Sequence, residues 1–93
     1  MGKLTLEEAQ KLAGDVGAGL GGVCNDVFDA IEGEPPGPGL AALIERGRLK
    51  ASQYDDALTK LSDSHARQLR TDYERKVTRL KANLLKLESK QKG

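Results

Sequence analysis

The 93-residue chain predicts an all-α protein: a helical hairpin with a short connecting helix and a long C-terminal helix, assembled as an oligomeric bundle, with a three-helix bundle as the alternative. Three observations point there. Fourteen Leu and ten Ala stand against six Val and Ile combined, with only three aromatic residues, a palette that favours helix over strand. Apolar residues recur at helical spacing in two long stretches. A Pro- and Gly-rich segment separates the two. The length suits one domain, residues 1–93, with a core too small to enclose a large active-site cavity.

The first stretch opens with Thr5 and Glu8 at capping-box spacing. At 100° per residue, Leu6, Ala9, Leu12, Ala13, Val16, Leu20, Val23, Cys24, Val27 and Ile31 share an arc of about 120°. Glu8, Asp15, Asp26 and Asp29 fall on the far side. This predicts an amphipathic helix over 5–32. Gly14, Gly17, Gly19, Gly21 and Gly22 each cost about 1 kcal/mol relative to Ala, so packing must hold the helix together. Gly14, Gly17 and Gly21 share one flank with Phe28 below them, which predicts close approach of a neighbouring helix. A glycine-rich loop over 14–22 joining two short helices is the alternative reading.

Residues 33–39, Gly33-Glu34-Pro35-Pro36-Gly37-Pro38-Gly39, predict a turn. Leu40, Leu43 and Ile44 then give one face of a short helix over 40–46, which Gly47 is placed to end. Ser52 and Asp55 form a second capping pair and open a long basic helix over 52–91, about 60 Å in length. Its stripe is Tyr54, Leu58, Leu61, His65, Leu69, Tyr73, Val77, Leu80, Leu84 and Leu87. The steps of four from Leu61 to Val77 favour a straight or slightly right-handed seam over a regular left-handed coiled coil. Ser62-Asp63-Ser64 is a candidate internal cap, which keeps the three-helix bundle open.

The segment LAALIERGRLKASQYDDALTKL, Leu40 to Leu61, resembles the short helical hairpin of SHOCT-type bacterial domains. Two leucines, then Gly47, then Tyr54 seven residues later carry the resemblance, and the acidic run that usually precedes the aromatic is missing. It covers about a quarter of the chain and implies an oligomerisation or tethering role.

Charge is unevenly placed. Fifteen Lys and Arg against fourteen Asp and Glu leave a net charge of +1, which gives no overall pull towards nucleic acid or membrane. Residues 1–45 nevertheless carry two basic and eight acidic side chains, and residues 65–93 carry nine basic and three acidic. Opposite blocks of this size invite antiparallel fold-back or head-to-tail pairing of subunits. The start of the chain lacks the apolar run of a secretory signal and has Leu6 where a myristoylation signal wants Ser or Thr. No stretch reaches the roughly 20 apolar residues of a membrane span. A cytoplasmic protein is the expectation.

The letters for catalysis are sparse. Gly17-x-Gly19-x-x-Gly22 matches a dinucleotide-binding pattern, but no strand precedes it to aim a helix N-terminus at a pyrophosphate. Cys24 and His65 are the one thiol and one imidazole; Cys24 lies in the apolar arc and His65 on the seam, where both read as packing residues. A thiolate metal cluster is excluded by the single cysteine. Glu7-Glu8 and Asp55-Asp56 are sequence neighbours whose side chains splay about 100° apart on a helix, unsuited to bridging a substrate. The expectation is a non-catalytic protein with no cofactor and no metal.

What remains is interaction. The C-terminal seam, Leu69, Tyr73, Val77, Leu80, Leu84 and Leu87, is expected to be an interface. Leu84, Leu85 and Leu87 have little of their own chain left to cover them. The predicted function is a helical protein–protein interaction module that self-associates, as a dimer by preference, and engages a protein partner as adaptor, scaffold or regulator. The alternative is nucleic-acid binding. Arg75, Arg79, Lys86 and Lys90 form a basic ridge on one side of the stripe, and Arg67, Arg70, Lys81 and Lys92 form one on the other; such ridges suit phosphates as well as a protein seam.

Overall fold

Four helices occupy residues 4–92, which the structure, a computed structural model, describes: α1 (Leu6–Gly17), α2 (Leu20–Gly33), α3 (Pro38–Lys60) and α4 (Asp63–Lys92). No strand occurs among the described residues. The protein is an all-α bundle of three rods. The first rod is α1 and α2 with a two-residue break, the second is α3, and the third is α4. Asp55 meets Lys81 and Arg48 meets Glu88, so α3 runs antiparallel to α4. Cys24 meets Lys76, and the carbonyls of Ala30 and Ile31 meet Lys90, so α2 runs parallel to α4. The bundle is 45 Å long, the length of a helix of about 30 residues, so α4 alone sets its long dimension.

The start of α1 follows its sequence signal. Thr5 Oγ1 accepts from the Glu8 backbone N–H at 3.2 Å, and the Glu8 carboxylate accepts from Thr5 N–H at 3.0 Å. These bonds hold the Glu8 carboxyl below its ordinary pKa. The expected single helix over 5–32 is corrected. Ala18 is extended (ψ 119°) and Gly19 is left-handed (φ 73°), a conformation that only glycine adopts cheaply. The break spares the helix one costly residue, Gly19, but leaves carbonyls at the end of α1 unpaired. The Lys50 ammonium of α3 donates to the Ala18 carbonyl there. The break is also narrower than a loop over 14–22: Gly14 and Gly17 lie in α1, and Gly21 and Gly22 lie in α2.

Pro38 takes the first position of α3, after Gly37 at φ 151°. The expected helix over 40–46 is corrected, because Gly47 does not end it. Gly47 is buried in mid-helix, and a methyl group on it would sit 2.5 Å from Leu84 Cδ2. It is a point of close approach between α3 and α4. Ser52 and Asp55 lie exposed in mid-helix rather than at a cap. Gly47 and Tyr54 belong to one straight-through element, so the short hairpin implied by the SHOCT-type resemblance is absent.

The long helix expected over 52–91 is corrected too. The chain breaks at Leu61, which is extended (ψ 154°). Ser62 Oγ accepts from the His65 backbone N–H at 3.5 Å and meets its Nδ1 at 3.2 Å. The Ser62-Asp63-Ser64 signal therefore starts α4, and the three-rod alternative is the one adopted.

Each rod buries a seam with alternating steps of three and four. These are Leu20, Val23, Val27 and Ala30 of α2, then Leu40, Ile44, Gly47, Ala51 and Tyr54 of α3, and Val77, Leu80, Leu84 and Leu87 of α4. This is the spacing of left-handed helix bundles; the run of fours is shorter than expected, since Leu61 lies outside α4, but its steps from His65 through Leu69 and Tyr73 to Val77 stay within the first half of that helix. Of the three glycines expected to admit a neighbouring helix, Gly17 does so, against the Tyr73 hydroxyl, whereas Gly14 and Gly21 face open space.

That difference is measurable. Gly14→Ala and Gly21→Ala each gain about 0.4–1 kcal/mol in urea unfolding, since the helix loses a flexible residue and nothing is displaced. Gly47→Val costs about 1–3 kcal/mol, because Leu84 must leave its place against the α3 backbone.

Candidate interaction surface on α4

The seam expected to be shared with another chain is covered by this one. Leu69, Val77, Leu80, Leu84 and Leu87 are between 0 and 5% exposed, and Tyr73 is half-buried over Gly17. As an intermolecular interface this set is corrected: it is the bundle's own core. The cover comes from α3, whose 23 residues were hidden in the sequence by reading Gly47 as a stop. Leu85 alone of the C-terminal leucines is outside, at 68% exposure. It borders a shallow groove between α3 and α4 with Ala41, Ile44 and Ser89.

The basic ridge divides. The Lys90 ammonium donates to the carbonyls of Ala30 at 3.0 Å and Ile31 at 2.9 Å. It caps the last turn of α2 and is no longer a free phosphate contact. Arg75, Arg79 and Lys86 are exposed, and none of them forms an ion pair among the described residues. On the opposite flank Lys81 is engaged with Asp55 at 3.0 Å.

The acidic first rod and the basic third rod lie side by side, yet no ion pair joins them among the described residues. The cross-helix pairs go elsewhere: Asp26 to Arg46 at 3.4 Å, Glu88 to Arg48, and Asp55 to Lys81. Asp29 and Glu32 of α2 stay exposed. The charge blocks are therefore not consumed by the fold.

Along the α2–α4 face, the Cys24 thiol donates to the Lys76 carbonyl at 3.6 Å. This places the flank of Cys24, Phe28 and Ile31 along α4. Cys24 and Ile31 are partly covered there, whereas Phe28 is 66% exposed. Sequence reasoning placed Phe28 beneath the glycine flank but did not identify it as surface. The available signal was its position about 100° from the centre of the apolar arc of α2.

The chemistry-bearing residues are not brought together. Cys24 lies level with Lys76, eleven residues along α4 from His65, a separation of about 16 Å on the helix axis. Burial pushes the Cys24 thiol above its ordinary pKa, opposed by the Lys76 charge, so it is the less reactive thiol form. Gly17, Gly19 and Gly22 straddle the break between two helices, so a helix stands where a dinucleotide site needs a strand. Among the described residues no group of three or more His, Cys, Asp or Glu is placed to hold a metal ion. No helix there is long and apolar enough to cross a membrane.

Leu87→Ala lowers the unfolding free energy by about 2–5 kcal/mol in urea titration, whereas Leu85→Ala changes it by less than about 0.5 kcal/mol. Cys24 is alkylated by iodoacetamide at pH 8 more slowly in the folded protein than in urea, where the rate rises to that of a free cysteine. Comparison with protein-family models, with curated proteins and with solved structures returns no match.

Proposed function

We propose that the chain is a non-catalytic helical protein–protein interaction module of the cytoplasm, self-associating and serving as an adaptor, scaffold or regulator. Its contact surface is the outer α2–α4 face rather than the leucine seam. The observation that carries this reading is Phe28, two-thirds exposed beside a row of basic side chains that form no ion pair among the described residues. An aromatic anchor rimmed by charge is the composition of a protein contact. Among the exposed large apolar side chains, Leu6, Phe28, Leu49 and Leu85, Phe28 alone is aromatic, the kind of side chain that anchors contacts.

A second reading is nucleic-acid binding, favoured by Arg75, Arg79 and Lys86 standing free along one exposed ridge. The net charge of +1 and the acidic neighbouring rod weigh against it, since steering of a polyanion needs a dominant positive field.

One pair of measurements tests both. Affinity capture from the native host recovers a protein with the wild-type chain and loses it with Phe28→Asp, at matched thermal stability. Equal capture by both forms overturns the proposed surface. Retention on heparin at low salt that disappears in Arg75→Ala/Arg79→Ala, without any captured protein, establishes the nucleic-acid reading instead.

A further inference from the structure

We infer that the α2–α4 face receives an acidic amphipathic helix of another protein, held by a row of cations on α4 and seated on Phe28. The inference rests on the interaction-module reading and names the chemistry of its partner.

At 100° per residue, Arg75, Arg79 and Lys86 fall within about 40° of one another on α4. Lys90, one turn beyond Lys86, reaches the carbonyls of Ala30 and Ile31, so this flank is the one turned to α2. Lys76 belongs to the same side, since its carbonyl accepts from the Cys24 thiol and its charge acts on that thiol. Arg75, Lys76, Arg79 and Lys86 are all exposed, and none forms an ion pair among the described residues. The acids of α2 leave them unanswered, because Asp26 and Asp29 line the groove between α2 and α3 instead. By helical phase, Glu32 of α2 and Asp72 of α4 share the face with the four cations. The face is therefore basic, with two isolated acids.

Its apolar part is narrow. Cys24, Phe28 and Ile31 follow one another on α2 in steps of four and three. Cys24 and Ile31 pack partly against the core, whereas Phe28 stands out at 66% exposure. The Cys24–Lys76 contact sets the relative height of the two parallel helices. At about 1.5 Å per residue, Phe28 is then level with Leu80 and within about 2 Å, along the axis, of Arg79. Arg75 and Lys76 lie to one side of that level and Lys86 to the other. Gly21, about two turns before Phe28, faces open space, so a partner can lie close to the α2 backbone there.

The spacing suits a helix. Arg75, Arg79 and Lys86 are four and seven residues apart, and a helix laid alongside presents acids at the same intervals on one stripe. Its apolar residues, at steps of three and four beside that stripe, meet Phe28 and Ile31. Such a helix also places its charges singly, so a neutral or basic residue can stand opposite Glu32 and Asp72. A nucleic-acid backbone or an anionic bilayer is negative throughout and would meet both acids. Patterned charge, not charge alone, is what this face complements.

Fluorescence anisotropy with a labelled synthetic helix tests this. The probe carries leucines at steps of three and four with glutamates on both flanks, and a scrambled peptide of the same composition is its control. At about 50 mM salt, where exposed charges act over more than about 10 Å, the probe binds the wild-type chain and the scrambled peptide binds more weakly. Arg79→Glu/Lys86→Glu weakens the probe about tenfold or more, and a probe with lysines in place of the glutamates then binds that variant better than wild type. Arg67→Glu/Lys92→Glu, the same change of net charge on the opposite flank, leaves the affinity within about twofold. Phe28→Ala weakens the probe about fivefold or more. All the substituted residues are exposed, and circular dichroism checks that each variant is folded.

No binding of the probe to the wild-type chain overturns the proposal, as does binding that Arg79→Glu/Lys86→Glu or Phe28→Ala leaves intact. Equal binding of the scrambled peptide, or tighter binding of duplex DNA or phosphatidylserine vesicles, overturns it in favour of a general polyanion surface. A wild-type dimer in sedimentation that Arg79→Glu/Lys86→Glu dissociates overturns it in favour of a second copy of this chain. The interaction-module reading is judged separately, by Phe28-dependent capture of a host protein, and survives the loss of the acidic probe.

Discussion

The close approach of α3 to α4 at Gly47 is the constraint on which the rest of the bundle depends. With no side chain at that position, the Leu84 side chain fits against the α3 backbone. The two longest helices can then share one seam over most of their length. That seam buries Leu80, Leu84 and Leu87, and it leaves α2 to close the third side with Leu20, Val23 and Val27. A larger residue at 47 would displace the Leu84 side chain from that contact and disturb the packing of α3 on α4 around it.

Around that seam the polar work is done by long side chains at helix ends. Lys50 covers the end of α1, Lys90 covers the end of α2, and the Gln91 amide both accepts from Gly37 N–H at 2.8 Å and donates to its carbonyl at 3.0 Å. Helix termini leave backbone groups that must find partners. Here two of the three breaks are served from another rod. Those two breaks are consequently not free hinges: each is fastened to another rod, whereas the break at Leu61–Ser62 is capped locally by Ser62 and His65. The same arrangement takes two cations, Lys50 of α3 and Lys90 of α4, away from acids of the first rod, since carbonyl oxygens hold them instead.

The helical class, the capping box at Thr5 and Glu8, the turn over 33–39 and the cap at Ser62 were all legible in the sequence, because each depends on neighbours in the chain. The break at Ala18–Gly19 was legible only as an ambiguity. Apolar phase continues across it, and the choice between bent helix and two helices depends on Lys50, 32 residues away. The role of Gly47 was not legible. A glycine that ends a helix and one that admits a neighbour look alike until the partner, Leu84, is in place. That one ambiguity shortened α3 on paper, stripped the C-terminal leucines of their cover and turned a core into an apparent interface. The candidate surface was half legible: the ridge of Arg75, Arg79 and Lys86 followed from periodicity, whereas the loss of Lys90 to a cap and the exposure of Phe28 required the tertiary arrangement.

The clamp that Lys90 and Gln91 place on Ala30, Ile31 and Gly37 closes over separations of 54 to 60 residues. During translation, these contacts cannot form until residues 90 and 91 have left the ribosome. The glycine-rich α1–α2 rod gains little from isolated helix formation, so it depends on the later arrival of α4 for its packing. Closure of the turn between α2 and α3 is thereby tied to the arrival of residues 90 and 91, and a chain truncated before them lacks the side chains that secure it.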